Sequence, residues 1–324
     1  MRESTQVSSD PLSAALSMID ARCVLARAIK AQGPWSLTLR AHAPLMLVAP
    51  ARGEFWLTVP GADRQIRLAE GDIAVVHGDL RQIMSSDPGL NPTDGEALFR
   101  LHDRNSQTVQ LGESPDVALV GGHIALDRSG EELLLAALEP VTHIRASDGQ
   151  APVLRWLLDR LLDEMERDQG GSEFAARQYA SLLFVEVLRG YLADPAACPP
   201  SWLRVLATPS LAPAVHRMQA DPQRNWTLED LAHTVAMSRT TFAERFREAA
   251  GMPPLTYLTH WRMRLAERAL TEDDVTIAAL SHSLGYSTES SFSHAFKRIH
   301  GISPGRYRGR RRNLEAPDLA GHAV

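Results

Sequence analysis

Cysteine is nearly absent: Cys23 and Cys198 are the only two in 324 residues. They lie far apart and in no CxxC or metal-ligand spacing, which excludes a disulfide framework and a zinc knuckle. Both read as free thiols of a chain in a reducing, cytoplasmic compartment. Long apolar runs are missing too. The richest stretch, Ser181 to Leu192, is interrupted by Glu186 and Arg189 and falls short of the ~20 residues that span a bilayer. The polar segment Met1 to Ser9 lacks the charged, apolar and small-residue order of a secretory signal. No HxH, HExxH, glycine-rich phosphate loop or Ser-His-Asp order occurs, so no common enzyme class is indicated, no catalytic residue is assigned and no cofactor is expected. Aromatic residues make up only 6%, but 44% hydrophobic and 23% charged content is ordinary for soluble globular chains and excludes a disordered or fibrous one. The length exceeds one ordinary core and suits two domains.

The net charge of -5 speaks weakly against a nucleic-acid partner until it is divided along the chain. Ser210 to Arg312 holds 15 basic and 10 acidic residues, a balance of +5; the remainder holds 19 and 29, a balance of -10. An acidic body carrying a basic terminal module fits a DNA-binding domain attached to something that binds other partners.

That basic segment contains an internal repeat. Thr227, Leu228, Leu231, His233, Val235 and Met237 recur 49 residues later as Thr276, Ile277, Leu280, His282, Leu284 and Tyr286. At an offset of 50 follow Ser238/Thr288, Phe242/Phe292, Phe246/Phe296, Arg247/Lys297, Gly251/Gly301, Pro254/Pro304 and Tyr257/Tyr307. Each copy predicts two helices joined by a tight turn. A threonine N-cap opens the first helix, and apolar residues at i, i+3 and i+7 bury one face. A hydroxyl cap, Ser238 or Thr288, opens the second, which buries a phenylalanine pair four residues apart. Gly251 and Gly301 end these second helices, and the prolines beyond them prevent continuation. The second turn is one residue longer, and Gly285 supplies the positive φ that such a turn often needs.

A helix pinned by two phenylalanines has a fixed outward face. In the first copy that face offers Arg239, Thr240, Ala243, Glu244 and Arg247; in the second it offers Glu289, Ser290, Ser293, His294 and Lys297. Side chains near such a helix N-terminus reach base edges in a major groove, and basic residues hold phosphates. A carboxylate accepts from the cytosine amino group, so Glu244 and Glu289 point to direct readout rather than charge attraction alone. Between the copies, Leu255, Leu258, Trp261, Leu265 and Ala269 mark an apolar stripe of a connecting helix that spans roughly 22 Å. Paired helices with phenylalanine stripes would also serve an all-helical protein-binding repeat. The basic excess, the duplication and the connecting helix together favour DNA.

Residues Trp226 to Arg308 resemble the DNA-binding domain of AraC-type (AraC/XylS) transcriptional regulators. The strings LAHTVAMSRTTFAERFREAAGMPPLTYLTHWRMRLAERAL and IAALSHSLGYSTESSFSHAFKRIHGISPGRYR carry the likeness, the second more specifically. The resemblance implies two helix-turn-helix units joined by a long helix on asymmetric promoter sites. Matched to the motif, the base-contact positions are Thr240, Ala243, Glu244 and Arg247 in one unit, and Glu289, Ser290, Ser293 and His294 in the other. Double-stranded promoter DNA is the implied partner. Activation is the commoner mode in such families, and an activator would also engage RNA polymerase. The basic run Arg306, Arg308 and Arg310 to Arg312 is expected to contact phosphate.

From Trp35 to about Leu126 short alternating stretches such as WSLTLR, EFWLTV and DIAVVH are separated by Gly, Pro and Asp, the pattern of a small barrel or sandwich. Asp10 to Met18 predicts a short helix ahead of it. The run EGDIAVVHGD and the pair Pro60-Gly61 resemble a cupin barrel over roughly Pro11 to Leu126. His42, His77, His102 and His123 are scattered and do not follow the metal-binding pattern of enzymatic cupins, so no metal site is expected. Trp35, Phe55, Trp56, His77, Arg81 and His123 are the candidate lining of a small-molecule effector pocket. Helices predicted over Ala151 to Met165 and Glu173 to Leu192 follow. The second is apolar around most of its circumference and calls for cover on two sides, by the barrel and by a second subunit of a homodimer. Asp194 to Pro200 reads as a linker.

The expected fold is thus α+β: a cupin-like sensor domain over 1–130, a helical connector and dimerisation region over 131–208, an all-α DNA-binding domain over 209–312 and a mobile tail over 313–324. The expected function is a sequence-specific, effector-responsive transcriptional regulator reading two major-groove segments, without a membrane partner. The competing reading is an enzymatic or small-molecule-binding cupin with a helical protein-interaction domain. It would require convergent metal ligands.

Overall fold

A computed structural model describes residues 10–315 apart from 19–20, 41–42, 79, 102–107, 127, 146–150, 168, 195–197 and 273–274. A first helix, α1 (Pro11–Met18), precedes strands β1 (Arg22–Ala31), β2 (Ser36–Arg40), β3 (Leu45–Arg52), β4 (Phe55–Val59), β5 (Arg64–Leu68), β6 (Ile73–His77) and β7 (Arg81–Ser85). After β8 (Thr93–Asp94) come α2 (Gly95–Leu101), β9 (Thr108–Leu111), β10 (Val117–Ala125), α3 (Arg128–Ala137) and β11 (Val141–Ile144). The rest is helical: α4 (Ala151–Glu166), α5 (Ser172–Ala193), α6 (Trp202–Leu206), α7 (Ala212–Ala220), α8 (Leu228–Thr234), α9 (Arg239–Ala250), α10 (Pro254–Glu272), α11 (Ile277–Ser283), α12 (Glu289–His300) and α13 (Pro304–Glu315).

Two compact units result, Ile19–Cys198 and a second built from the N-terminal segment through Met18 together with Pro199 onward. In the first, a six-stranded sheet in the order β11-β6-β3-β10-β1-β9 faces a five-stranded one in the order β5-β4-β7-β2-β8. The fold is the expected cupin-like one. Among the described residues, however, the strands form two facing sheets rather than one closed ring. Alternation puts Ile29, Leu37, Val48, Leu57, Met84 and Leu119 into the intersheet core. The other face of the six-stranded sheet, with Leu45, Leu47, Val75 and Val120, is equally buried. Helices α4 and α5 cover it with Leu154, Leu158, Leu183 and Leu188, and a Lys30–Glu166 ion pair of 2.7 Å ties β1 to α4. The Tyr191 hydroxyl donates to the Ala137 carbonyl at 2.9 Å. The helices expected as a separate connector are therefore part of this unit, because a sheet apolar on both faces needs a second layer.

The helical unit holds two cores. In the first, Phe242 and Phe246 pack with Leu231, Val215, Met218, Tyr257 and Trp261; in the second, Phe292 and Phe296 pack with Leu280, Leu284, Met263, Ala266 and Leu270. Helix α10 serves both by turning different faces to them. This corrects the single stripe: Leu255 is 44% exposed, while Tyr257, Met263 and Leu270 are buried. Tyr257 and Tyr307 do equivalent jobs, packing edge-on against Phe246 and Phe296 at 5.7 and 5.5 Å. Val205 and Leu206 of α6, read from the sequence as connector, belong to the first core. So does α1: Ala15 is 1% exposed there, and the Arg268 guanidinium donates to the Ser17 carbonyl at 3.5 Å. The predicted helix exists but belongs with the DNA-binding unit rather than the cupin.

The two cores meet at one junction. Arg262 of α10 donates through Nε to the Pro222 carbonyl at 2.7 Å and through a terminal nitrogen to the Arg224 carbonyl at 2.9 Å, gripping the loop between α7 and α8. The same guanidinium lies 5.6 Å from the Tyr286 ring centre in the turn between α11 and α12. Gly285, at φ +77°, presses on the Gln223 carbonyl so closely that a Cβ there would come within 2.8 Å of the carbonyl carbon. The first turn uses Ala236, at φ 51°, at the matching position.

Two stability predictions follow from this packing. Gly285→Ala combines a left-handed backbone with a backbone clash, and should lower the stability of the helical unit by at least about 2 kcal/mol in a thermal or urea melt; an unchanged transition would show that the α11–α12 turn does not abut the α7–α8 loop. Ala15→Asp should destabilise the same unit by about 2–4 kcal/mol through an unpartnered buried carboxylate. If α1 belonged to the sheet unit, only that unit's transition would move.

Candidate nucleic-acid interface

The backbone punctuation of both helix-turn-helix copies matches the sequence expectation. Thr227 caps α8 in a reciprocal box with Asp230, and Thr276 caps α11 by accepting from the Ala279 amide. Hydrogen bonds from Thr227 hold the Asp230 carboxyl below the usual carboxylate range. Ser238 and Thr288 cap α9 and α12 by accepting from the Thr241 and Ser291 amides at 3.2 and 3.1 Å. Both helices end on glycines in the left-handed region, Gly251 and Gly301. The buried phenylalanine pairs then set the rotation of each helix about its axis.

That rotation turns every predicted contact residue away from the cores. Arg239, Thr240, Glu244 and Arg247 on α9 are exposed, and Ala243 is half-buried between them. Glu289, Ser290, His294 and Lys297 on α12 are exposed, with Ser293 half-buried at the matching position. The face is barely engaged within the chain: Arg239 approaches Glu229 at 4.0 Å, and both partners are largely solvent-exposed. The free amides of the first turns of α9 and α12 add partial positive charge beside these side chains.

Two further residues shape the interface without lying on it. Arg262, which the sequence did not single out, is the junction residue; burial lowers its pKa from the ordinary guanidinium value, and the neighbouring Tyr286 opposes that shift. The signal for it in the sequence was weak, since an arginine on a helix among other arginines looks like a solvated face. Arg308, expected to hold phosphate, instead donates to the Val275 carbonyl and is half-buried. Its role is to anchor α13 on the second core.

In the sheet unit the predicted pocket residues divide. Trp35 and Phe55 belong to the intersheet core, with ring centres 6.2 Å apart, and His123 shares the inward face of β10 with Leu119. Trp56, His77 and Arg81 alternate with inward residues and so lie on the opposite faces of their strands, where the Arg81 guanidinium reaches the Thr38 hydroxyl at 2.9 Å. The six candidates therefore split between the two faces of their strands, because they were chosen by residue type without regard to strand parity. Gln82, which was overlooked, is on the inward face. His42 and His102 lie outside the described residues. Among the described residues no group of three metal-ligating side chains comes together, and no helix is long and apolar enough to cross a membrane.

Comparison with known proteins assigns both units. A cupin family model matches residues 10–193 and a helix-turn-helix domain model matches residues 231–310. An AraC-like transcription regulator of Streptomyces lividans is 37% identical over 92% of this chain and 98% of its own length. The transcriptional regulator AlkR of Acinetobacter baylyi is 30% identical over 86% of this chain and 92% of its own. Among solved structures, the DNA-binding domain of AdpA, a global transcriptional factor, in complex with a target DNA is 30% identical, covering 33% of this chain and 96% of that one at a TM-score of 0.32. With near full-length relatives of this kind on either side of one domain order, the chain belongs to the AraC-type transcriptional regulators, DNA-binding proteins that here join a cupin domain to a pair of helix-turn-helix units.

Proposed function

We propose that α9 and α12 are the recognition helices and that they read two successive major-groove segments of promoter DNA from one polypeptide. The observation that carries this reading is the equivalence of the two helices: same caps, same phenylalanine anchors, same outward positions, held by one α10 of 19 residues, or roughly 28 Å. That length suits two groove segments on one side of a duplex whose helical repeat is roughly 34 Å. Arg239, Arg247 and Lys297 take phosphates; Thr240, Glu244, Glu289, Ser290, Ser293 and His294 face base edges, and Ala243 offers a methyl contact.

The regulator works as a homodimer through the outer face of α4 and α5. Val153, Trp156, Phe174 and Leu182 are 46%, 55%, 64% and 52% exposed there, and Trp156 stacks edge-on against Tyr179 at 6.0 Å. Such a patch is unusual on a solitary domain. The charges of α5 near the patch are paired within the helix, Arg177 with Glu173 at 3.6 Å and Arg189 with Glu186 at 2.5 Å, which leaves the apolar residues for a second copy to cover. Leu188, also on α5, is 0% exposed and belongs to the core. The cupin domain senses a small-molecule effector that shifts promoter occupancy by binding two states of the regulator unequally.

Footprinting on DNA upstream of its own and neighbouring genes, with unrelated competitor DNA and a salt series, tests the first proposal. Protected sites should appear in two groove-spaced segments, and Glu244→Ala and Glu289→Ala should each relax specificity at one segment by about 1–3 kcal/mol. Competitor that abolishes binding equally would reduce the domain to a basic patch. For assembly, the double variant Trp156→Glu/Leu182→Glu should remain folded and run as a monomer by light scattering, whereas Leu188→Glu should unfold the sheet unit. A dimer surviving the double change would remove this face from the interface.

A further inference from the structure

Gln82 is 0% exposed, and neither its amide nitrogen nor its amide oxygen has a hydrogen-bond partner. A buried carboxamide left unsatisfied at both ends is costly, and native interiors seldom keep one without something to pair with it. Its direction is fixed by the ladder. Gln82 stands opposite Leu39 of β2 and shares the face of Met84, so it points into the space between the sheets.

A second polar group faces the same space at the same end. Arg27 alternates with Ile29 and Ala31 on the inward face of β1, opposite Gly121. Its guanidinium lies 4.7 Å from the ring centre of Phe99, and Phe99 itself packs on the intersheet core. Helix α2, which carries Phe99, closes that end: its Gly95 sits against Leu39, the cross-strand neighbour of Gln82. Gly121 stands opposite Arg27, and the Met46 methyl group lies 3.3 Å from where its Cβ would be. The described side chains give Arg27 no carboxylate. Around these groups the core is aliphatic, with Leu37, Val48, Leu57, Met84 and Leu119.

We propose that the α2-covered end of the intersheet space binds a small organic hydroxycarboxylate with an aliphatic body, held by Arg27 and Gln82. The guanidinium takes the carboxylate, the Gln82 amide N–H donates to it, the Gln82 carbonyl accepts from the ligand hydroxyl, and the chain lies among the aliphatic core residues. This deepens the reading of the cupin domain as the sensor and rests on it.

Calorimetric titration of the full-length protein with 2-hydroxyoctanoate tests the assignment, with octanoate and 1,2-octanediol as probes of each polar group. Saturable 1:1 binding is expected for 2-hydroxyoctanoate, at least tenfold weaker binding for octanoate, which leaves the Gln82 carbonyl unpaired, and none for the diol. Arg27→Leu and Gln82→Leu should each weaken binding tenfold or more. Gln82→Leu should nevertheless melt at or above the temperature of the unchanged protein, since it removes an unsatisfied group from the interior. No heat with any acid would overturn the proposal, as would equal affinity in both variants, equal affinity for the diol, or a Gln82→Leu protein that melts well below the unchanged one. Footprints taken with and without saturating 2-hydroxyoctanoate separate the two levels: binding that leaves promoter occupancy unaltered keeps the site and removes the sensor role, while no binding removes the site and leaves the DNA reading intact.

Discussion

The geometry of the helical unit depends on the Arg262 junction. Two small helix-turn-helix cores, each centred on a pair of phenylalanines, would be free to rotate about α10 if that helix were their only link. Arg262 prevents this by spending its directional donors on the Pro222 and Arg224 carbonyls of one unit while lying beside the Tyr286 ring of the other. Gly285 allows the approach, because any side chain there would strike the Gln223 carbonyl. A planar guanidinium suits this task better than an ammonium, since its N–H groups leave in fixed directions within one plane and its face can stack. The turn that seemed to need glycine only for its φ therefore needs it twice, for backbone conformation and for contact between units.

The helical half was legible in the sequence because each of its signals was confirmed by a copy. Caps, phenylalanine pairs and terminal glycines agreed at offsets of 49 and 50, and a fixed offset leaves little room for coincidence. What could not be read was how α10 is shared. An amphipathic helix with one stripe packs on one partner; here the buried positions drift from Tyr257, Leu258 and Trp261 toward Met263, Ala266 and Leu270, following two cores in succession. Projected on one wheel, that drift looks like a single broad stripe, and Leu255 was included although it faces solvent. The fate of α1 was likewise hidden: nothing in PLSAALSM says that Ala15 will fill a core formed some two hundred residues later.

The sheet half shows a different limit. Alternation identified the strands, but the face that each residue occupies depends on register, and a shift of one residue exchanges inside for outside. Trp56, His77 and Arg81 were drawn to the pocket by their chemistry and fall on the outward parity, while Gln82, adjacent to Arg81, falls on the inward one. The six-stranded sheet adds a further difficulty, because α4 and α5 make its outer face as apolar as its inner one. Strands such as IAVVH then lose the alternation that would reveal parity. The same double burial accounts for a helix apolar around most of its surface: the side that carries Leu188 is spent on the sheet, and only the thinner stripe through Phe174 and Leu182 is left to face outward.

Charge distribution links these local facts to the work of a regulator. With a net charge of -5, the whole chain gains little from general attraction to a polyanion, and the basic excess is confined to the helical unit. Part of that excess is already committed within the fold, since Arg262 and Arg308 are engaged by backbone carbonyls. The proposed reading faces also carry Glu244 and Glu289, which repel phosphate wherever the matching base is missing. On the proposed reading, such a module gains little from nonspecific attraction and takes its binding energy from correct base contacts made by both helices at once. Rigid spacing would make that simultaneous engagement possible, so in the proposed reading the junction at Arg262 and the carboxylates on α9 and α12 serve one requirement: discrimination through paired contacts rather than through net charge.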